Sequence, residues 1–248
     1  MDFKSFRACS TLISAVFPSV TLYLTRVPDP RAFGLVPTDA DDRVVEFREK
    51  PTSADEIVTD QINAGCYVFR RRVIDEIPAD AVVSVERDTF PMLLARGDRL
   101  TGVVDPGYWL DLGTPLSFVQ GSRDLVLGNV ASGAVPDHRG DALIAGSAQV
   151  EPSARVGGGS AVGARARIAA DARVTGSVVM ADVHIAAGAE VVDSVIATGA
   201  RVGRGATLVG AVVAERAMIG AGVELRDGAR VWPDAVLPDG CVRFSSDR

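Results

Sequence analysis

Lysine is nearly absent from this 248-residue sequence: it occurs only at Lys4 and Lys50, although lysine and arginine together number 26. Acidic residues number 32, so the formal net charge is −6, which argues against nucleic acid as a partner. Hydrophobic residues make up 47% of the chain, and this excludes an intrinsically disordered protein. Because the chain uses arginine almost everywhere else, the lysine at Lys50 is a candidate functional residue.

Cysteine is also scarce, and the three cysteines, Cys9, Cys66 and Cys241, lie far apart. Their odd number and wide spacing exclude a small disulfide scaffold and a CxxC motif. No run of the sequence reaches the roughly 18 apolar residues that a membrane-spanning helix needs. These absences predict a cytoplasmic protein without a membrane partner.

Aromatic residues are rare in the second half of the chain: of 14, only Trp232 and Phe244 lie beyond Phe118. The two halves therefore cannot have cores of the same kind. At roughly 150 residues per domain, the length permits one or two domains, and the aromatic split favours two.

Between Ile144 and Val236, a large aliphatic residue recurs every six residues, with occasional steps of five. Two positions before most of these aliphatic residues lies an alanine or a serine. A period of six fits a triangular solenoid in which each coil has three short strands and three turns. The five-residue steps that end at Val179, Ile196 and Val213 are 17 residues apart, so we expect ladders of inward-facing aliphatic side chains.

These hexads resemble the left-handed parallel β-helix of bacterial transferases, and the left hand is implied by that resemblance. Such prisms occur both as acyltransferase domains and as appendages of sugar nucleotidyltransferases, so the repeat predicts architecture but not chemistry. In the acyltransferase interpretation, His184 would be the catalytic base. The plainer interpretation of His184 is a surface histidine on one face of the prism.

The first half reads as a mixed α/β layer. We expect three strands and two helices, at residues 21–25, 44–47 and 62–69, then 84–94 and 114–127. The third strand is apolar on both faces and is therefore expected inside a sheet. The second helix has Thr114 as a plausible N-cap and Pro115 at its first position.

Four stretches resemble a known family: Phe33–Val36, Phe47–Pro51 (Phe-Arg-Glu-Lys-Pro), Ile62–Phe69 (Ile-Asn-Ala-Gly-Cys-Tyr-Val-Phe) and Tyr108–Pro115 (Tyr-Trp-Leu-Asp-Leu-Gly-Thr-Pro). In this order and spacing they resemble the sugar-binding half of the sugar-phosphate nucleotidyltransferases. Within that family they are most similar to the mannose-1-phosphate guanylyltransferase branch, as is Ser84–Pro91. The expected fold class is a partial nucleotidyltransferase α/β domain, Rossmann-like, followed by the left-handed parallel β-helix.

This resemblance, together with the repeat, gives a domain organisation. We expect an atypical segment at 1–19, the sugar-phosphate half of the nucleotidyltransferase domain at 20–128, a linker at 129–140, the β-helix at 141–240 and a tail at 241–248.

Enzymes of this family join a sugar 1-phosphate to the α-phosphate of a nucleoside triphosphate and release pyrophosphate, with Mg²⁺ as cofactor. Their catalysis depends on alignment and charge neutralisation, because little covalent work falls on the protein. The resemblance implies two catalytic residues. Lys50 would meet the sugar phosphate as a compact positive charge, and Asp111 would give Mg²⁺ an oxygen ligand.

The resemblance also implies that Gly34, Glu49, Lys50, Asn63 and Gly65 bind the substrate, with Gly34 leaving room for the sugar ring. Plainer alternatives stay open from the residues themselves. Lys50 could be a solvated strand end, Asp111 an ordinary turn residue, and Asn63 to Gly65 a turn.

A glycine-rich loop of the type Gly-x-Gly-Thr-Arg, which holds the triphosphate in this family, has no counterpart before Val20. We therefore expect weak catalysis from this chain. Two other functions stay open. One is a non-catalytic scaffold or regulatory subunit that associates through the β-helix, as a homo-oligomer or with a complete homologous subunit. The other is a hexapeptide acyltransferase that uses His184.

Overall fold

The computed structural model describes residues 18–51, 53–133 and 140–242. The chain divides into two compact units, Met1–Trp109 and Leu110–Arg248. Most of the expected N-terminal segment and of the tail lies outside the described residues, as do Lys4 and Cys9.

The described part of the first unit contains a five-stranded mixed sheet. Its strands are β1 (Val20–Arg26), β2 (Gly34–Leu35), β3 (Arg48–Glu49), β4 (Gln61–Phe69) and β5 (Leu100–Val104). Their order is β3-β2-β4-β1-β5, with β1 and β5 parallel and the other neighbours antiparallel. Strand β4 therefore lies inside the sheet, as its apolar run predicts.

Short helical segments accompany the sheet: the 3₁₀ turn Ala54–Glu56, α1 (Arg71–Glu76), the π-helical turn Val85–Thr89, and α2 (Phe90–Ala95). The last two together confirm the helix expected at 84–94. One side of β1 contributes to a buried core with α2, because alternate strand residues point to the same face. The fully buried members from these two elements are Val20, Leu22, Leu24, Phe90 and Leu93.

The strand expected at 44–47 is wrong. Val44 forms only an isolated bridge with Thr38, and its N–H donates to the carbonyl of Leu100 at 2.9 Å. This segment covers the outer edge of β5, which would otherwise expose unpaired backbone groups. The sequence pattern also gave no indication of β5 or α1, which are short and flanked by charged residues.

The second unit contains α3 (Pro115–Leu127) and a parallel β-solenoid with three faces, named A, B and C in the order in which the chain meets them. Face A consists of β6 (Ala142–Ile144), β9 (Ser160–Val162), β12 (Val178–Val179), β15 (Val195–Ile196), β18 (Val212–Val213) and β21 (Arg230–Val231). Face B consists of β7 (Gln149–Val150), β10 (Arg167–Ile168), β13 (His184–Ile185), β16 (Arg201–Val202), β19 (Met218–Ile219) and β22 (Val236–Leu237). Face C consists of β8 (Arg155–Gly157), β11 (Arg173–Thr175), β14 (Glu190–Val192), β17 (Thr207–Val209) and β20 (Glu224–Leu225).

Strands in successive coils pair in parallel register, and residues 140–242 contain five complete coils and two strands of a sixth. In the middle coils the register step is 17 residues, as between Val174 and Val191. The inward-facing members of face A, such as Val179, Ile196 and Val213, are at most 1% exposed. These observations confirm the predicted aliphatic ladders. The handedness of the coil stays a prediction from the family resemblance.

One predicted inward residue is wrong. Strand β22 pairs Met218 with Val236 and Ile219 with Leu237, so Leu237 continues the inward row and Val236 is 63% exposed. The reason is that the shorter five-residue step occurs only at the corner from face C to face A in this described solenoid. The step from Val231 turns from face A to face B, where every step in this region is six residues.

Serine side chains accept hydrogen bonds from the backbone N–H groups at the five-residue corners. In a six-residue corner, the backbone N–H of the small residue donates to a carbonyl three residues earlier, as from Ala200 to Ala197 at 3.2 Å. In the five-residue corners, the N–H instead donates to a serine Oγ one coil earlier. Ser177 donates to Ser160 at 3.1 Å, Ser194 to Ser177 at 3.1 Å, and Ala211 to Ser194 at 3.0 Å.

Helix α3 packs against the outward surface of face A. Thr114 caps it as predicted, because its Oγ1 accepts a hydrogen bond from the N–H of Ser117 at 3.1 Å. Gly159 has a φ of +80°, and a Cβ there would lie 2.5 Å from Cγ of Arg123. Glycine at this corner therefore lets the helix approach, and Arg123 forms an ion pair with Asp193.

The serine ladder gives a testable prediction. In Ser177→Ala, the buried N–H of Ser194 loses its acceptor, so we expect the free energy of unfolding to fall by about 1–3 kcal/mol in urea titrations. The matched control is Ser153→Ala. Ser153 Oγ accepts a bond of 3.1 Å from the N–H of Asp171 at an exposed corner, where water can replace it. Equal losses in the two variants would contradict this account.

Candidate functional site

Gly34 and Glu49 lie directly opposite each other on β2 and β3. A Cβ at Gly34 would lie 3.0 Å from Oε2 of Glu49 and 3.1 Å from the ring of Phe47. The space beside Gly34 therefore holds these two side chains. The absence of a side chain at Gly34 brings the Glu49 carboxylate close to the sheet, where it is only 18% exposed.

Lys50 follows β3 directly and has a φ of +44°. This left-handed conformation is unfavourable for a lysine, and more so because Pro51 follows it. The Lys50 side chain is 61% exposed, and its Nζ lies 3.5 Å from Oε1 of Glu49. Backbone strain of this kind is concentrated at functional sites, so the conformation supports a functional role for Lys50.

Asn63, Ala64 and Gly65 form a bulge inside β4. Tyr23 of β1 pairs with Cys66 and Leu24 pairs with Asn63, so Ala64 and Gly65 have no partners in the β1 register. Gly65 has a φ of +78°, and its N–H donates to Oδ1 of Asn63 at 3.1 Å. The three residues thus belong to the strand, and bulges of this kind redirect side chains next to functional sites.

A hydrogen-bonded cluster holds the Asn63 side chain. Its Nδ2 donates to Oη of Tyr67 at 2.5 Å and to Oε1 of Glu86 at 2.6 Å. The Tyr67 hydroxyl also donates to Oε1 of Glu86, at 3.1 Å. We name Asn63, Tyr67 and Glu86 the amide cluster. Sequence reasoning assigned no role to Tyr67 or Glu86, because neither matches a position for which the resemblance implied a function.

Burial raises the pKa of the Tyr67 hydroxyl well above its usual value, although the hydrogen bond from Asn63 opposes the shift. The negative charges of Glu86 and Glu49 raise this pKa further. The ring of Tyr67 packs edge-on against Phe90, with centroids 5.1 Å apart. Tyr67 therefore stays protonated and continues to donate a hydrogen bond to Glu86.

Trp109 belongs to the last of the four motifs and contacts residues of two earlier motifs, Phe33 and Ala64. Its ring packs edge-on against Phe33 at 5.5 Å, and its Nε1 donates to the carbonyl of Ala64 at 3.4 Å. The aromatic part of the Tyr-Trp-Leu-Asp motif thus contacts the bulge of β4 directly.

Asp111 lies in the second unit, on the exposed loop that leads into α3. Its Oδ1 accepts a hydrogen bond from the N–H of Gly113 at 2.9 Å. A carboxylate suits Mg²⁺, which is commonly held by one or two carboxylates together with water and substrate phosphates. Among the residues that the structure describes, no group of three or more His, Cys, Asp or Glu is placed to hold a metal. Asp111 therefore fits as one ligand of such an ion.

His184 lies on face B, in the outward row of β13, and its side chain is exposed. It forms no hydrogen bond or ion pair with the described residues that would orient it as a base. This location agrees with the plainer interpretation of a surface histidine. Among the described residues, the helices are also too short or too polar to cross a membrane.

Comparison with known proteins assigns both parts of the chain. A family model described as "Nucleotidyl transferase" matches residues 8–126, and one described as "GMPPB C-terminal domain" matches residues 138–246. A mannose-1-phosphate guanylyltransferase of Mycobacterium tuberculosis is 55% identical over 229 residues, which are 92% of this chain and 63% of that protein.

More distant relatives carry similar names. A mannose-1-phosphate guanyltransferase of Pichia angusta is 38% identical over 103 residues, 41% of this chain and 27% of that protein. A mannose-1-phosphate guanylyltransferase catalytic subunit beta of Drosophila pseudoobscura is 35% identical over 101 residues, 41% of this chain and 26% of that protein. The chain thus spans less than two thirds of the length of these curated relatives.

The amide cluster gives a prediction about alkaline pH. In Glu86→Gln the negative charge beside Tyr67 is removed, so the pKa of Tyr67 should fall in a spectrophotometric tyrosine titration. The pKa of Tyr67 in the folded chain lies above the unfolded value of about 10. Protonated Tyr67 therefore contributes its full stabilisation of the fold below that pH, and this contribution is lost as the pH rises towards the folded pKa. Tyr67→Phe should therefore lose less stability than the unchanged chain above about pH 10.

Asp88→Asn is the matched control for Glu86→Gln. Asp88 lies in the same π-helical turn but accepts from the N–H of Ser84, outside the amide cluster. An unchanged or higher pKa of Tyr67 in Glu86→Gln would contradict the proposed electrostatic coupling.

Proposed function

We propose, since this chain belongs to the nucleotidyl transferase family, that its first unit binds a sugar 1-phosphate for the mannose-1-phosphate guanylyltransferase reaction. In that reaction the sugar 1-phosphate and a nucleoside triphosphate give a nucleotide sugar of the GDP-mannose type and pyrophosphate. The observation that carries the proposal is the strained Lys50 beside the half-buried Glu49, two strands away from the bulge of β4.

Lys50 is the proposed phosphate-binding residue. Its ammonium group is exposed and is paired only with Glu49 among the described residues, at the long distance of 3.5 Å. A phosphate can therefore approach it without first breaking a short ion pair. Its location directly after a paired strand limits how far the charge can move, and such positioning is the main contribution that a protein makes to phosphoryl transfer.

Glu49 on β3 and Asn63 and Gly65 on β4, with β2 between these two strands, are proposed to contact the sugar. A carboxylate such as Glu49 accepts hydrogen bonds from sugar hydroxyls. The Asn63 amide already donates to the amide cluster, so we assign it chiefly to holding the bulge in place. At Gly65 no atom lies within 4 Å of the position that a Cβ would take, which leaves open space against the backbone for a ring.

Asp111 is the proposed Mg²⁺ ligand of the second unit. When bound, the ion would neutralise charge that develops on the reacting phosphates. Cytoplasmic location and association through the solenoid, as a homo-oligomer or with a complete homologous subunit, are also proposals.

Binding of mannose 1-phosphate tests the proposal. Lys50→Asn removes the charge and keeps a residue that tolerates positive φ, so the fold should be retained. A charged hydrogen bond contributes about 1.5–3 kcal/mol, so calorimetry should show binding weakened roughly tenfold to a hundredfold. The control is Arg71→Gln, which removes a positive charge from a side chain that is 85% exposed on α1. Equal affinity in Lys50→Asn and the unchanged chain would sink the assignment.

Catalysis itself needs a separate measurement. From the sequence we expect the 248-residue chain to release little pyrophosphate from GTP and mannose 1-phosphate in the presence of Mg²⁺. A coupled pyrophosphate assay checks this, with the Mycobacterium tuberculosis relative as the positive control. Comparable rates for the two proteins would contradict the expectation of weak catalysis.

A further inference from the structure

The outward surfaces of the three solenoid faces differ in character. The outward row of face A is mostly apolar, consisting of Leu143, Ala161, Val178, Val195, Val212 and Arg230, and α3 packs against its first coils. The outward row of face C mixes both signs of charge, with Arg155, Arg173, Glu190, Thr207 and Glu224. The outward row of face B contains no acid: it is Gln149, Arg167, His184, Arg201, Met218 and Val236.

On face B, Arg167, His184 and Arg201 occupy three successive coils. Neighbouring strands lie about 4.8 Å apart, so these side chains lie in a close column. All three are exposed, and none forms an ion pair within the described part of the chain. By contrast, two corner arginines are held by aspartates of the next coil: Arg165 by Asp182 and Arg216 by Asp234, each through two bonds of 2.6–2.7 Å.

A groove of about 360 Å³ continues from this column along face B. His184 and Arg201 line one part of it, and Met218 and Val236 line the part towards the last coil. This volume lies within the range of about 300–1,000 Å³ that is common for small-ligand sites. The groove thus combines a cationic part with an apolar part.

Two glycines, Gly203 and Gly220, belong to the lining of the groove. A Cβ at Gly203 or at Gly220 would lie 2.5 Å from backbone atoms of the next coil, so neither position accepts a side chain. Asp239 is the acidic residue of the lining, and its Oδ1 accepts a hydrogen bond from the N–H of Ala221 at 2.7 Å.

We propose that this groove binds a phosphorylated small molecule that also carries an apolar or aromatic group. The planar guanidinium of Arg201 suits two hydrogen bonds to a phosphate of the ligand. His184 lies beside Arg201, and Arg167, one coil beyond His184, would bind further negative charge on the ligand. Met218 and Val236 would contact the apolar group. A nucleotide and a sugar phosphate share the phosphate, but the apolar part of the groove favours the nucleotide. The site lies on the solenoid alone and does not depend on the proposed function.

Calorimetry with GDP, mannose 1-phosphate and inorganic phosphate as probes tests this site. The full chain carrying Lys50→Asn is used as the background, so that the proposed sugar-phosphate site contributes little. In this background, Arg201→Gln should weaken GDP binding roughly tenfold or more, as expected for a charged hydrogen bond. Arg173→Gln is the matched control, because Arg173 is an exposed outward residue of face C. It should leave GDP binding unchanged.

A second variant identifies the part of the ligand that contacts the apolar region. Met218→Ala should weaken the binding of GDP and leave that of inorganic phosphate unchanged. Tighter binding of mannose 1-phosphate than of GDP, lost in Arg201→Gln, would support the phosphate site with a sugar phosphate as its ligand. Undetectable binding of all three probes, or equal GDP binding in Arg201→Gln and Arg173→Gln, would overturn the proposal. Since both arginines are exposed, equal thermal unfolding midpoints are expected for these two variants.

Discussion

The second unit depends on one constraint: the chain must return to the same lateral position once in every coil. In the middle coils this takes 17 residues, because the corner from face C to face A is one residue shorter than the other two corners. A five-residue corner lacks the hydrogen bond within the turn that a six-residue corner forms. In its place, a serine Oγ of the preceding coil accepts a hydrogen bond from the backbone N–H. At the six-residue C-to-A corner that contains Ala229, the N–H of Ala229 donates to a carbonyl of its own turn, that of Arg226. No serine acceptor is needed there, and the equivalent position one coil earlier is Ala211. The aliphatic ladders, the three outward rows and the packing of α3 all follow from this register.

The first unit places its candidate site by local departures from regular strand geometry. The bulge in β4 turns Asn63 towards Tyr67 and Glu86, and the left-handed backbone at Lys50 directs the ammonium group beside Glu49. Each departure is unfavourable in isolation. The interactions that hold them include the packing of Tyr67 against Phe90 and the close approach of Glu49 to Gly34. The stable part of the sheet thus holds the less favourable conformations on which binding would depend.

Local patterns in the sequence predicted those features that depend on neighbours in the chain. The six-residue period predicted the solenoid, and Thr114 with Pro115 predicted the start of α3, because caps and periodicity are local properties. The prediction that Val236 faces the interior is wrong. Either Val236 or the following Leu237 could be the inward aliphatic residue, and the length of the corner from face A to face B decides for Leu237. The amide cluster could not be found in this way, because Glu86 meets Asn63 across 23 positions of sequence. Its members were visible only as parts of motifs, without their contacts.

The alternation of corner lengths also restricts how this domain can change during evolution. Removing one residue from a corner between faces A and B or between faces B and C, where every described step is six residues, would turn the inward row outwards from that point. Adding or removing a whole coil preserves every row and leaves the first unit untouched. Apart from the corner from face C to face A, which takes five or six residues, length variation among homologous solenoids should therefore come in whole-coil units, so that the height of the prism can vary while its cross-section is kept.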